Sequence, residues 1–369
     1  MIESKKFIDF LKKNKINFFT GVPDSILKPL TPYLEKKDNK NNHIIAVNEG
    51  SAVSIGIGYH LSTKKIPCIY MQNSGLGNAI NPLSSIAHKK VYSIPLLLLI
   101  GWRGSPNTQD EPQHKIKGNI LEKLLKLLGI NYCILNSEKD FVKLSNLIKL
   151  SKKKKIPVAC LIKTKTLISD KRKEKDKKSN KNLILRQDII KRILQISENS
   201  TRIISSTGYT SRELIQIRKN ENLNKGRDFY MVGGMGHTSS VALGVSLFSK
   251  KKIICIDGDG SMLMHLGSLF TLAMFGKNDV KYVLINNNLH ESVGDQVTCA
   301  NKINLNLLSK SIGFKKFYFL KEKKKINITL KKFINSKGPS FLEVRVKKGS
   351  LKKLSRPKEL LRIKKYFMK

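Results

Sequence analysis

The chain has 369 residues, enough for two domains at ~150 residues each, and 40% of them are hydrophobic, so it can bury real cores. That apolar fraction excludes a wholly disordered basic tail, despite 70 Lys plus Arg against 27 Asp plus Glu and a formal charge of +43. Only 7% of residues are aromatic and the longest uncharged apolar run, Ile94 to Trp102, is far short of the ~20 residues that cross a bilayer. Neither a base-stacking platform nor a membrane span is expected.

The first residues, Met1 to Asn17, alternate charges with single apolar positions and lack the apolar core of a signal peptide. The lysines are spread along the whole chain in short groups such as Lys12-Lys13, Lys152 to Lys155 and Lys321 to Lys325. That spread describes a solvated surface better than a nucleic-acid-binding patch, although a positive field would still attract an anionic substrate. Cys68, Cys133, Cys160, Cys255 and Cys299 show no metal-type pairing and read as reduced thiols of a cytoplasmic protein.

A polar loop, Thr20-Gly21-Val22-Pro23-Asp24-Ser25, opens the first half. Four apolar runs follow, His43 to Val47, Ile66 to Met71, Ile94 to Gly101 and Pro157 to Ile162, separated by helical patterns. Such runs predict a parallel sheet covered by helices, whose ligands bind beyond the carboxyl ends of the strands. The first run leads into Asn48-Glu49-Gly50-Ser51 and a small-residue helix, Ser54 to Leu61. Glu49 there is either a helix-start acid or a carboxylate kept for a specific partner, because burying it otherwise is expensive. Gln72-Asn73-Ser74-Gly75-Leu76-Gly77-Asn78 follows the second run, and Gly101-Trp102-Arg103-Gly104-Ser105-Pro106 the third, with Asp110-Glu111-Pro112-Gln113-His114 close behind. Four polar segments converging on one sheet edge predict a site.

From Ser169 to Asn182 no residue is apolar, which predicts a solvated linker between domains 1–168 and 183–350, with a basic tail at 351–369. Strand-like runs resume at Arg202 to Ser206, Lys252 to Asp257, Lys281 to Asn286 and Ser340 to Val346. Val232-Gly233-Gly234-Met235-Gly236-His237-Thr238 offers a nest of backbone N–H groups suited to phosphate. Asp257-Gly258-Asp259-Gly260-Ser261 ends a strand, before a helical pattern over Met262 to Phe275. One helix and one strand later come Asn286-Asn287-Asn288, so a carboxylate and an amide oxygen stand at neighbouring strand ends. That donor pair suits a hard cation such as Mg2+ whose other ligands are phosphate oxygens and water.

Together these motifs resemble the thiamine diphosphate-dependent 2-keto acid decarboxylases. The resemblance runs through Gly21 to Pro29, Asn48 to Tyr59, Tyr70 to Leu83, Tyr92 to Gly118, Thr207 to Leu214, Gly233 to Gly244, Asp257 to Gly267 and Asn286 to Thr298. The segment Gly101 to Gly104 with Asp110 to His114 points to the phosphonopyruvate branch. The resemblance implies an α/β protein of two similar domains, each a parallel sheet with helices on both faces, one binding the pyrimidine and one the diphosphate. It implies that Glu49 bonds N1′ of the aminopyrimidine. Gly234, Met235, Gly236, His237, Gly258, Asp259, Gly260, Ser261 and Asn287 would hold the diphosphate. Asp259, Asn287 and the carbonyl of Leu289 would hold Mg2+, with Asn286 competing for the amide position.

Asp24, His114 and His290 are the candidate proton carriers. Arg103 would grip a phosphonate or carboxylate with its planar fork, helped by Ser25, Asn73 and Gln113. The implied reaction is decarboxylation of 3-phosphonopyruvate to phosphonoacetaldehyde and carbon dioxide through a thiamine ylid, in phosphonate biosynthesis. Sulfopyruvate decarboxylase is the nearest alternative. A basic nucleic-acid-binding protein is the alternative from another class, but it leaves Glu49, Asp259 and the Asn cluster unexplained. The resemblance also implies a homo-oligomer, with the pyrimidine-binding domain of one subunit meeting the diphosphate-binding domain of another. The chain departs from the family at Glu291, usually Asp, and at Asp295, usually Gly, which brings an added carboxylate toward an anionic substrate.

Overall fold

The computed structural model describes residues 1–35, 42–169, 183–277 and 280–369. They gather into two compact units, one from the N-terminal half together with Val293–Gln296 and one from the remainder. The charged segment at 169–182 lies, apart from Ser169, outside the described residues.

In the first unit, β1 (Ile2–Glu3) pairs with β8 (Leu167–Ile168) as a small parallel ribbon. The main sheet contains β2 (Phe19–Gly21), β3 (His43–Ile45), β4 (Cys68–Gln72), β5 (Leu97–Trp102), β6 (Asn131–Leu135) and β7 (Val158–Lys163). Its order is β3-β2-β4-β5-β7-β6 and every pairing is parallel. Alternate side chains feed two cores. Leu97, Leu99, Val158 and Cys160 belong to one, and Leu96, Leu98, Ile100, Ala159 and Leu161 to the other. A strand buried on both faces has no polar alternation, which is why β5 reads as one apolar run.

The second unit repeats the plan. It contains β9 (Arg202–Ser205), β10 (Arg227–Tyr230), β11 (Ile253–Gly258), β12 (Val280–Asn286), β13 (Lys316–Leu320) and β14 (Ser340–Arg345), in the order β10-β9-β11-β12-β14-β13. All five pairings are parallel. Ile254, Ile256, Val283 and Ile285 face one core, and Ile253, Cys255, Tyr282 and Leu284 the other.

Two local readings change. The helix expected over Met262 to Phe275 is two, Asp259–Met264 and Gly267–Phe275. His265 between them leaves helical geometry and stacks on His237, ring centroids 4.5 Å apart. The basic tail contains the helix Leu360–Met368, whose Phe367 packs 5.6 Å from Phe229 of β10. Among the described residues no helix is long and apolar enough to cross a membrane.

Candidate active site

In the first unit the four strand-end segments meet. Asp24 follows β2 and is 1% exposed, with Oδ2 accepting from the N–H groups of Ile26 (2.9 Å) and Leu27 (3.1 Å). Its Oδ1 has no hydrogen-bond partner among the described residues. Burial pushes this carboxyl up to about 6, against the opposing pull of the two N–H groups and Arg103. A Cβ at Gly101 would lie 2.1 Å from Asp24 Oδ2, so the glycine at this point of β5 makes room for the acid.

Glu49 is the first residue of the helix Glu49–Thr63, capped by the Asn48 side chain on Ser51 N–H at 2.8 Å. Its side chain turns inward, 5% exposed, and Oε2 accepts from Asn78 Nδ2 at 2.8 Å. Oε1 lies over Gly75, where a Cβ would come within 2.0 Å of it. A helix-start acid that only complements the dipole would face water. Glu49 is instead buried, with one oxygen held by an amide and the other seated over a glycine.

Arg103 follows β5 and is gripped on one edge by Asp110, Nε to Oδ2 at 2.8 Å and Nη2 to Oδ1 at 2.6 Å. The pair holds the Asp110 carboxyl well below the usual carboxylate range even though burial opposes this. Nη1 turns to Ser25 Oγ at 3.2 Å. Asn73, expected to contact substrate, has its amide engaged with the Arg103 backbone, donating to the carbonyl (2.9 Å) and accepting from the N–H (3.1 Å). It sets where Arg103 stands. Gln113 donates to Glu111, and His114 places a ring nitrogen within 4.8 Å of the Asp110 and Glu111 carboxylates. Trp102 is a packing residue, 2% exposed, with Nε1 donating to the Gly118 carbonyl at 3.0 Å.

In the second unit Asp259 stands just past β11, 3% exposed, bonded by the Thr298 hydroxyl and the Asn287 N–H. Burial pushes its carboxyl up to about 6. Asn286 is committed to the sheet: it is fully buried, and its Nδ2 donates to Glu343 at 3.0 Å. Asn287, half-buried, turns out of the strand, and its Oδ1 accepts from Leu289 N–H at 3.0 Å. Gly234 and Gly236 take positive φ (62° and 87°), and Gly236 N–H donates to Ser261 Oγ at 3.0 Å. Met235 Cε and the His290 ring both crowd Gly260, where a Cβ would come within 2.7 Å of the imidazole. Gly258 N–H is turned to Asp257 Oδ1 at 2.9 Å. His237 is exposed, and burial lowers His290 to about 4.

Three residues that bond the candidate site residues carry no local sequence signal. Thr298 bonds Asp259 across 39 positions and Asn78 bonds Glu49 across 29, so neither has a local spacing to betray it. The third, Arg186, is treated below. A cavity of about 640 Å3 lined by Arg218, Asp228, Tyr230, Arg362 and Tyr366 contains none of the predicted site residues.

Residues 4–147 match the thiamine pyrophosphate enzyme N-terminal TPP binding domain, and residues 206–344 match the corresponding C-terminal TPP binding domain. The chain therefore belongs to the thiamine pyrophosphate enzymes. Its curated relatives place it among the 2-keto acid decarboxylases, and it is phosphonopyruvate decarboxylase-like in sequence. It is 28% identical to a phosphonopyruvate decarboxylase of Streptomyces hygroscopicus, over 97% of this chain and 91% of that one. A second, from Streptomyces viridochromogenes, is 28% identical over 92% and 87%. A sulfopyruvate decarboxylase of Methanosarcina acetivorans is 27% identical over 94% and 92%.

Proposed function

We propose that the protein decarboxylates 3-phosphonopyruvate to phosphonoacetaldehyde and carbon dioxide, using thiamine diphosphate and Mg2+, as an oligomer whose sites draw on two copies of the chain. The observation that carries the substrate choice is the Arg103 guanidinium. Asp110 fixes one edge of it, and the remaining N–H groups stand beside the Ser25 hydroxyl at the strand ends that also carry Asp24 and Glu49. A preset fork with an adjacent hydroxyl suits a phosphonate.

The residues fit the cation and cofactor. A carboxylate as buried as Asp259, held by one hydroxyl and two backbone N–H groups, is favourable when a cation sits against it. Asn287 Oδ1 and the Leu289 carbonyl are the oxygen donors that would complete the protein's share. Gly234 and Gly236, in left-handed conformations, would shape the loop around a diphosphate, with the Gly236 N–H itself given to Ser261 Oγ. Thiamine diphosphate, when bound, supplies the nucleophilic carbon and the electron sink that loss of carbon dioxide requires.

The chain's own residues do the rest. Asn78 fixes Glu49 Oε2, so Oε1 would share a proton with N1′ of the pyrimidine ring. Arg103 and Ser25 would orient the anionic end of the substrate. Asp24, with a carboxyl near neutrality and one unpartnered oxygen, is the acid best suited to deliver a proton to the product carbon. His290 is held neutral at pH 7. Measuring kcat/KM for phosphonopyruvate, sulfopyruvate and pyruvate tests the choice. Phosphonopyruvate should lead, whereas a tenfold preference for sulfopyruvate would transfer the assignment to the sulfonate.

A further inference from the structure

Glu291 sits two residues past Leu289, in the loop that carries Asn287. From sequence it keeps, on a side chain one methylene longer, the charge of the Asp that the family usually has there. The structure turns that side chain away from solvent. Its side chain is 7% exposed, and three donors converge on its carboxylate. Arg186 Nη2 and Asn287 Nδ2 (2.9 Å) both donate to Oε2, and Gly349 N–H donates to Oε1 at 2.6 Å. Arg186, the first residue of the helix Arg186–Ile196, is equally buried and also pairs with Glu213 at 3.5 Å. Glu213 in turn accepts from Leu351 N–H at 2.9 Å. The Glu291 carboxylate is thus held from behind the loop by two neutral donors and by an Arg186 that it shares with Glu213.

An Asn amide offers an oxygen on one side and an NH2 on the other, and only the oxygen binds a cation. Which side faces the cation depends on what holds the other. Both Glu291 oxygens accept, from Arg186, Gly349 and the Asn287 Nδ2, so Glu291 holds Asn287 by its NH2. Oδ1 is then turned to the opposite side, where Leu289 N–H engages one lone pair and the second is left for a metal. We propose that Glu291, braced by Arg186 and Gly349, is a positioning residue that locks the amide orientation of Asn287 for the divalent cation. This rests on the reading of Asn287 as a metal ligand. It adds that a buried Arg–Glu pair, with one partner 105 positions upstream of the other, sets the quality of that ligand.

The test is a double-mutant cycle on the full-length protein, with Mn2+ as probe in the presence of thiamine diphosphate and free Mn2+ read by electron paramagnetic resonance. Glu291→Gln is nearly isosteric but offers one oxygen to three donors, so its NH2 must meet one of them. Mn2+ affinity should fall ~10–100-fold, the range seen when a ligand's orienting partner is lost. Asn287→Ala should also weaken binding, and adding Glu291→Gln to it should do nothing further, because no amide remains to orient. Wild-type affinity in Glu291→Gln, or a further loss in the double variant equal to that in the single, would overturn the proposal. Circular dichroism checks the fold. If the Gln variant does not fold, Glu291→Met, similar in length but with no acceptor for the Asn287 NH2, takes its place in the same cycle, Arg186 keeping Glu213 as its partner. Failure of the wild-type protein to take up Mn2+ would instead remove the underlying metal reading.

Discussion

Glu49 and Asp24 are buried carboxylates, each fitted against a glycine that leaves space for it, Gly75 and Gly101. Their consequences differ. Glu49→Gln keeps the shape and the Asn78 contact but cannot pass a proton. It should bind thiamine diphosphate near normally while kcat falls ~10²–10⁴-fold, the usual size of a lost acid–base group. Unchanged turnover would make Glu49 a helix-start residue only. Asp24 has a folded-state value of about 6, above its unfolded one, so the folded protein holds this proton longer. Stability from this group is therefore present at pH 4, falls as pH rises toward 6, and stays low above it. Asp24→Asn removes the buried charge, so its melting temperature should exceed wild type at pH 7.5 and match it at pH 4. A gap of ~2 units corresponds to at most about 3 kcal/mol. Equal shifts at both pH values would contradict the buried charge.

At the level of elements, the sheet edges decided what could be read. Central strands β5, β7, β11 and β12 are buried on both faces and appear in sequence as apolar runs. The edge strands β6, β10 and β13 are largely half-exposed and carry Asn131, Arg227, Asp228 and Lys316, so no such run announces them, whereas the edge strand β3 lies within the run His43 to Val47 despite its exposure. The three-residue β2 ends in Thr20-Gly21 and runs straight into the polar loop Val22 to Ser25, so no apolar run marks it. Asp259, Asn287 and Glu49 were legible because strand ends bring them into place. Arg186 was not, because it meets Glu291 from a remote helix. The loop from Arg103 to Asp110 shows why residue type alone misleads about role. One edge of the Arg103 fork is already held by Asp110, and Arg103→Lys would lose both that clamp and the preset geometry. Its kcat/KM for phosphonopyruvate should drop at least tenfold more than for pyruvate, with the melting temperature checked in parallel. Equal losses on both substrates, with a lowered melting temperature, would reduce Arg103 to a structural clamp.

Across the whole molecule, 70 basic residues against 27 acidic ones set a field that any anionic substrate meets before it meets the site. Raising ionic strength from 0.01 to 0.3 M shortens the screening length from ~30 Å to under ~8 Å, so kcat/KM for phosphonopyruvate should fall more than for singly charged pyruvate. Identical salt profiles would mean that the charge plays no part in capture. If each site draws on two copies, co-expressing Glu49→Gln with Asp259→Ala should restore activity that neither variant has alone, because mixed oligomers rebuild an intact site. The most direct measurement is simpler. Protein stripped of cofactor and metal is supplied with thiamine diphosphate, Mg2+, or both, and phosphonoacetaldehyde release from phosphonopyruvate is followed. Turnover should appear only with both present and be absent in Asp259→Ala under the same conditions, whereas release of aldehyde without either addition, or no release with both, would contradict the assignment.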